Sequence, residues 1–224
     1  MTRMISIAAT VLVLIGGAVW WQTTQNNNST AFTSLGMAEA QNADVEIDTS
    51  LVTEMSLGDP DAPVTVIEYA SFTCPHCKNF HLNAFEQLKS NYIDTGKVHF
   101  IYREVYFDRF GLWAGMVARC AGPEKYFGIS DMIYEQQAEW TVGENPGAVA
   151  DNLGKIGRTA GLTGDEIDGC LQNEAKAMAM IKVFEDTTTA DGVTSTPTFI
   201  IDGEKFSNMS YADFAELLDG KIAE

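Results

Sequence analysis

The feature that most constrains the fold of this chain is residues 64–81, VTVIEYASFTCPHCKNFH, where an apolar run leads directly into two cysteines. The run VTVIEYA is rich in β-branched and aromatic residues, which is typical of a central strand buried on both faces. After the cysteines, apolar residues recur at helical spacing, at Phe80, Ala84, Phe85, Leu88 and Tyr92. A second strand-like run, KVHFIYREV, follows a predicted helix end near Gly96. This order of strand, helix and strand predicts a βαβ unit within an α/β fold.

The remainder of the chain is helical and then returns to a strand pattern. We divide it into a first α/β part at 51–106, a helical insertion at 107–183, and a second α/β part at 184–224. The stretch TPTFIIDGEKF predicts two strands joined by a turn at Asp202-Gly203. Ser210, followed three residues later by Asp213, is close to a capping box and predicts the start of a last helix.

The N-terminus predicts export. Residues 4–21, MISIAATVLVLIGGAVWW, carry no charge, and after Arg3 the next Lys or Arg is Lys78. This asymmetry keeps the N-terminus in the cytoplasm and sends the rest across the membrane. We interpret residues 1–21 as a signal peptide or membrane anchor and 22–50 as a flexible linker, and the Ala-Glu-Ala at 38–40 leaves cleavage open. The folded part is expected in the periplasm, soluble or tethered to the inner membrane, where disulfides persist.

The two cysteines are placed for redox chemistry. Pro75 suits the first turn of a helix, so the sulfur of Cys74 is expected beside free backbone N–H groups and the positive end of the helix dipole, which favour a thiolate. His76 adds an imidazole that can donate to that thiolate or carry positive charge. Cys77 lies one turn deeper and is expected to be buried. An acidic Cys74 stabilises the reduced form, so the Cys74–Cys77 disulfide is expected to be a strong oxidant.

The sequence gives less support to a metal site at the cysteines and to nucleic-acid binding by the surface. A structural zinc site needs four ligands, and Cys120 and Cys170 are far from the motif. In an exported protein these two cysteines most often pair, so we predict a structural disulfide between them, with two buried free thiols as the alternative. His81 and His99 are interpreted as packed or surface residues without a role. The formal net charge of −17 disfavours nucleic-acid binding.

Two motifs together resemble the DsbA family of thioredoxin-fold disulfide oxidoreductases: FTCPHC before an amphipathic helix, and GVTSTPTFIIDGE near the end of the chain. The resemblance covers about residues 55–222 and implies a thioredoxin fold with an inserted helical domain. It implies that Cys74 is the nucleophile and Cys77 its buried partner. It also implies that Pro197 is a cis-proline and that the backbone of Thr196 pairs with an extended substrate. Thioredoxin-fold proteins often carry a buried acid where Glu68 lies, which would relay the proton of Cys77.

The resemblance predicts a protein dithiol oxidase that introduces disulfides into exported proteins, acts on the thiols of unfolded chains, and is reoxidised by a DsbB-type membrane protein. Thr196 departs from the valine of the best-known oxidases and is similar to isomerase and reductase relatives, so a disulfide reductase or isomerase is the alternative. A periplasmic metal-binding module of the same fold is a third hypothesis. No cofactor or metal is expected. We also expect a monomer, because the segment before Met55 is short for the dimerisation domain of the isomerases.

Overall fold

A five-stranded mixed sheet forms the centre of the structure, a computed structural model that describes residues 46–143 and 145–223. The strand order is β1-β3-β2-β4-β5, in which β2 and β3 are parallel and the other neighbours are antiparallel. The strands are β1 (Met55–Leu57), β2 (Val64–Ala70), β3 (Val98–Glu104), β4 (Thr198–Ile201) and β5 (Glu204–Ser207).

Strand β2 occupies the middle of the sheet between β3 and β4, as its apolar sequence predicts. Its bounds coincide with the run VTVIEYA, and its side chains are buried or half-buried throughout. The turn at Asp202-Gly203 separates β4 from β5, also as predicted.

The sequence does not predict strand β1, because MSLGDPDAP, with Gly58, Pro60 and Pro63, is typical of a turn leading into a strand. The structure forms a three-residue edge strand there, in which Met55 pairs with Tyr102 of β3. So short a run carries no measurable periodicity, and only its pairing with β3 defines it as a strand. Gly58 ends it with a positive φ of 86°, a conformation that glycine adopts without strain.

Helix α1 begins at Pro75 and alternates between two geometries. Its α-helical segments are Pro75–Phe80 and Glu86–Leu88, and its π-helical segments are His81–Phe85 and Lys89–Ile93. The other helices are α2 (Arg109–Cys120), α3 (Pro123–Glu135), α4 (Gln137–Trp140), α5 (Pro146–Thr159), α6 (Gly164–Leu171), α7 (Glu174–Ala190) and α8 (Tyr211–Ile222). Helices α2 to α7 lie between β3 and β4 in the chain, and α7 continues past residue 183 to Ala190.

Helix α8 begins where the capping pattern predicts it. The hydroxyl of Ser210 accepts a hydrogen bond from the backbone N–H of Asp213 at 3.3 Å. Phe214 of α8 packs edge-on against Phe199 of β4, with ring centroids 5.0 Å apart, and Phe199 also contacts Phe80 of α1 at 4.7 Å. These three buried rings fix α1 against the sheet and so fix the position of its N-terminus.

A disulfide and an ion pair hold the helical region together and join it to the sheet. Cys120 at the end of α2 is bonded to Cys170 in α6, with Cα atoms 5.9 Å apart, so these cysteines are not free thiols. Arg119 donates to Glu104 at the end of β3, with Nε 2.7 Å from Oε1, and both side chains are buried. The helical region is thus bound to β3 by a buried charge pair as well as by apolar contacts.

The predicted signal peptide or anchor and almost all of the predicted linker, up to residue 45, lie outside the described residues. Among the residues described, no helix combines the length and apolar character needed to cross a membrane.

Candidate active site

The sulfur of Cys74 lies at the start of helix α1, where β2 gives way to the helix. Cys74 is the N-cap residue, and its sulfur accepts a hydrogen bond from the backbone N–H of Cys77 at 3.4 Å. Pro75 occupies the first turn, where its missing N–H leaves no donor unsatisfied. The sulfur therefore takes the place of the side-chain oxygen that caps most helices.

A second loop closes over the same sulfur. Strands β2 and β4 pair antiparallel, with Tyr69 opposite Thr198, so the residues that precede β4 lie beside the loop that follows β2. The Thr196–Pro197 peptide bond is cis. In its protonated form, the Cys74 thiol donates to the backbone oxygen of Thr196, with sulfur and oxygen 3.6 Å apart.

The two cysteines have opposite acidities. A hydrogen bond from the Cys77 side chain lowers the pKa of Cys74 to about 5, and the backbone N–H groups of Cys77 and His76 add to this effect. Cys77 is fully buried, and burial raises its pKa far above the usual range of a thiol. At neutral pH the reduced pair is therefore a thiolate at Cys74 beside a neutral thiol at Cys77.

Glu68 is a buried carboxyl behind the cysteines. Its side chain is 1% exposed, and its Oε2 atom has no hydrogen-bond partner among the described residues. Burial, reinforced by the negative charge of Cys74, raises the pKa of Glu68 to about 8. In turn, the Glu68 charge contributes to the raised pKa of Cys77, which places the carboxyl within electrostatic range of both sulfurs.

A pair of buried tyrosines lines the same interior. Tyr102 stands opposite Glu68 in the β2–β3 register, and its hydroxyl lies 2.5 Å from that of Tyr134 in α3. Burial raises the pKa of Tyr102 and that of Tyr134 well above the ordinary value of a phenol, so both hydroxyls remain neutral and can donate hydrogen bonds.

The histidines are placed differently from one another. The His76 side chain is exposed, and within the described part of the chain its ring makes no hydrogen bond to Cys74; its backbone N–H faces the sulfur instead. His81 is buried, with Nε2 2.6 Å from Oδ1 of Asp131, which agrees with our interpretation of a packed residue.

One residue that contacts the motif was missed by sequence reasoning. Gln137, at the start of α4, donates from Nε2 to the backbone oxygens of Phe72 at 2.7 Å and Cys74 at 3.1 Å. It is more than 60 residues from the motif in the chain, and no local pattern marks a buried glutamine of this kind.

No group of three or more His, Cys, Asp or Glu side chains within 46–143 and 145–223 is arranged to hold a metal ion. Cys74 and Cys77 do not form such a cluster with His76 or His81.

A family model described as thioredoxin matches residues 50–220, and the chain belongs to this family. A Rickettsia bellii protein with the provisional name protein-disulfide oxidoreductase is 33% identical over 172 residues, which are 76% of this chain and 65% of that protein. Disulfide bond formation protein D of Bacillus subtilis is 27% identical and matches over 72% of each chain. The chain thus spans just under two thirds of the Rickettsia bellii relative.

The solved structures that this chain resembles include proteins of the same kind as these relatives. The crystal structure of α-DsbA1 from Wolbachia pipientis superposes with a TM-score of 0.69 and 28% identity, covering 78% of this chain and 96% of that one. BdbD from Bacillus subtilis, at 22% identity and a TM-score of 0.68, shares the fold. The predicted thioredoxin fold with inserted helices, and its resemblance to DsbA proteins, are confirmed.

Proposed function

We propose that the protein is a thiol:disulfide oxidoreductase that introduces disulfide bonds into exported proteins through Cys74 and Cys77. The observation that carries the proposal is the environment of Cys74, whose sulfur caps helix α1 and has a pKa of about 5. A thiolate this stable favours the reduced pair, so the disulfide form withdraws electrons from ordinary thiols. The names of the Rickettsia and Bacillus relatives support the same chemistry.

The reaction begins with the pair oxidised. A substrate thiolate attacks the Cys74 sulfur, the Cys74–Cys77 bond breaks, and its electron pair goes to Cys77. Cys77 then takes a proton, because burial makes its thiolate unfavourable. A second substrate thiolate attacks the substrate sulfur of the mixed disulfide, and Cys74 leaves as a thiolate. The substrate has lost two electrons and two protons. The protein holds both electrons and one proton as thiolate and thiol, and the other proton passes to solvent.

Glu68 is proposed as the proton relay for Cys77. A carboxyl whose pKa is about 8 is mostly protonated at neutral pH and has a proton to give when Cys77 becomes the leaving group. Thr196 and Pro197 are proposed as the substrate-binding edge, where an extended segment adds a strand beside the reactive sulfur. The backbone oxygen of Thr196 already contacts that sulfur, which supports this role.

The location and partners belong to the same proposal. We place the protein in the periplasm, with residues 1–21 as a signal peptide or a tether to the inner membrane. Its substrates are the thiols of unfolded exported proteins, its reoxidant is a DsbB-type membrane protein, and it acts as a monomer. The division of the chain into an α/β part at 51–106, a helical insertion at 107–183 and a second α/β part at 184–224 belongs to the same proposal; the order of strands and helices supports it, and α7 (Glu174–Ala190) crosses the second boundary.

A disulfide reductase or isomerase is the second candidate. The feature in its favour is the threonine at position 196, before the cis-proline, which resembles the isomerase and reductase relatives more than the valine of the best-known oxidases. A measured reduction potential separates the two directions.

The test is the equilibrium of the pair with glutathione, followed by transfer to a peptide with two cysteines. We expect the oxidised protein to form the peptide disulfide stoichiometrically, with a potential closer to that of the oxidising DsbA, about −120 mV, than to that of thioredoxin, about −270 mV. Cys74→Ser should abolish the transfer, whereas Cys120→Ala/Cys170→Ala should preserve it. A potential near that of thioredoxin would instead identify a reductase.

The contribution of the His76 imidazole has its own test. Because the ring is exposed and the backbone N–H already contacts the sulfur, His76→Ala separates the two contributions. We expect the variant to raise the pKa of Cys74, measured by thiolate absorbance near 240 nm. An unchanged pKa would mean that only the backbone of His76 takes part.

A further inference from the structure

The helical region breaks between α3 and α4, beside the residue that contacts the loop of the reactive cysteine. Helix α3 ends at Glu135 and α4 begins at Gln137. The indole N–H of the buried Trp140 donates to the backbone oxygen of Ile133 at 2.7 Å, so a side chain holds an oxygen at the end of α3. The break is therefore an ordered feature, and it directs the side chain of Gln137 towards the loop that precedes α1.

The amide of Gln137 spans that loop. A primary amide has two N–H donors on one nitrogen, and Nε2 of Gln137 lies within hydrogen-bond distance of two backbone oxygens, those of Phe72 and Cys74. The side chain is 7% exposed, so these contacts do not compete with bulk water.

One of the two acceptors is also the first acceptor of helix α1. The backbone oxygen of Cys74 accepts from the N–H of Lys78 at 3.1 Å, so this oxygen is held from two sides, by the helix and by Gln137. Holding its carbonyl restrains the rotation about ψ, here 121°, and so the direction of the Cα–Cβ bond of Cys74. From that bond, the χ1 rotamer brings the sulfur to 3.4 Å from the backbone nitrogen of Cys77.

We propose that Gln137 is a positioning residue for the reactive cysteine: it holds the Phe72 and Cys74 carbonyls so that the Cys74 sulfur stays against the N-terminus of α1. The helical region then takes part in setting the acidity of Cys74, in addition to packing against the sheet. This inference rests on the proposed role of Cys74 as the reactive sulfur.

The alternative is that Gln137 only satisfies two buried carbonyls. Buried backbone oxygens are almost always hydrogen-bonded, and removing a partner costs stability wherever it occurs. A purely structural role therefore predicts a loss of stability with an unchanged thiolate, whereas a positioning role predicts a changed thiolate in a folded protein.

The experiment compares Gln137→Met with Gln136→Met in the full chain. Methionine is close to glutamine in length and volume but donates no hydrogen bond, so it removes the two contacts without opening a large cavity. Gln136 is adjacent in the same break, is half-exposed, and within the described residues its side chain makes no hydrogen bond. We expect Gln137→Met to raise the pKa of Cys74 by about one unit, a tenfold lower ratio of thiolate to thiol, and Gln136→Met to leave it unchanged.

Two further measurements keep the outcome decisive. Circular dichroism and thermal unfolding establish that each variant is folded, and Gln137→Asn serves if Gln137→Met is not. Asparagine keeps the amide but is one methylene too short to reach both carbonyls, so we expect a Cys74 pKa between those of the wild-type protein and Gln137→Met.

A Cys74 pKa in folded Gln137→Met or Gln137→Asn equal to that of the wild-type protein would overturn the inference. Failure of the wild-type protein to oxidise a dithiol peptide would overturn the proposed function instead, and the two failures are distinct.

Discussion

Two sulfurs three residues apart differ in acidity because one lies at a helix start and the other lies inside the core. Cys74 receives hydrogen bonds from the Cys77 thiol and from backbone N–H groups, while Cys77 is fully buried. This difference gives the pair a direction. In the proposed reaction, the substrate thiolate attacks Cys74, the sulfur nearer the surface, and Cys77 takes up a proton in the interior, from Glu68.

A prediction at this scale concerns the pH dependence of stability due to Glu68. The native pKa is raised from 4.5 to about 8, mainly by burial, so the native state binds the proton more tightly than the unfolded chain does. The stability contributed by the protonated group is complete below pH 4.5 and is lost as pH rises through about 8. Glu68→Gln, which cannot ionise, should gain stability relative to the wild-type protein across this interval.

This measurement is made on the disulfide form, by chemical unfolding at a series of pH values. The disulfide removes the Cys74 thiolate, whose lowered pKa gives the reduced protein the opposite pH trend. Glu68 stays buried in the disulfide form, so the largest cause of its raised pKa is retained. If the difference in unfolding free energy between Glu68→Gln and wild type were constant from pH 4.5 to 8, the raised pKa of Glu68 would be contradicted.

Sequence reasoning identified the local contacts of Cys74 and the pairing of Cys120 with Cys170. The family resemblance supplied Thr196 and Pro197, and neither source indicated Gln137. The capping geometry of Cys74 depends on Pro75 and the next two residues, so the local sequence encodes it. The burial of Glu68 follows from its place in a central strand. The contact of Gln137 with Cys74 joins positions separated by 63 residues, and it exists only once the helical region has packed on the sheet.

At the scale of elements, helix α1 forms where the apolar spacing predicts it, but its geometry differs from a regular α-helix. Two π-helical segments, His81–Phe85 and Lys89–Ile93, interrupt it. Such segments accommodate an additional residue in a turn, and packing against neighbouring elements decides their position. Edge strand β1 was missed for a related reason, because three residues carry no pattern and their pairing with β3 makes the strand.

The disulfide between α2 and α6 gives a prediction at the same scale. It closes a loop between cysteines separated by 50 residues, for which the chain-entropy relation gives a stabilisation of about 4 kcal/mol. The Cys120→Ala/Cys170→Ala protein should therefore lose between about 2 and about 4 kcal/mol of unfolding free energy in urea titrations. The pKa of Cys74 should stay where it is, because neither cysteine contacts the motif in the described structure. A shifted Cys74 pKa would mean that removing the disulfide changes the surroundings of Cys74.

At the scale of the molecule, a buried charge pair joins the helical region to the sheet. Arg119 of α2 donates to Glu104 of β3 through two nitrogens, and its Nη1 atom also donates to the backbone oxygen of Thr53 at 2.6 Å. Tyr126 of α3 donates to Glu104 at 2.8 Å. Four segments of the chain therefore meet at one ion pair, and each of its polar groups depends on the others remaining in place.

The last prediction is a double-mutant cycle at this pair. Arg119→Met leaves a buried carboxylate uncompensated, and Glu104→Leu leaves a buried guanidinium, so each should cost about 3 to 5 kcal/mol of unfolding free energy. The double variant removes both charges and leaves only the Tyr126 hydroxyl and the Thr53 carbonyl without their partners. We therefore expect its cost to fall below the sum of the single costs by at least about 2 kcal/mol.

The matched control is the ion pair of Lys182 and Asp186 within α7, where both side chains are about half-exposed. Because water and salt screen such a pair, its cycle should give a coupling of about 0.3 to 0.5 kcal/mol that weakens as salt is added. The coupling of Arg119 with Glu104 should persist at high salt, since both side chains are 4% exposed. Equal couplings at the two sites would show that the buried pair contributes no more to holding the helical region against the sheet than a surface pair would.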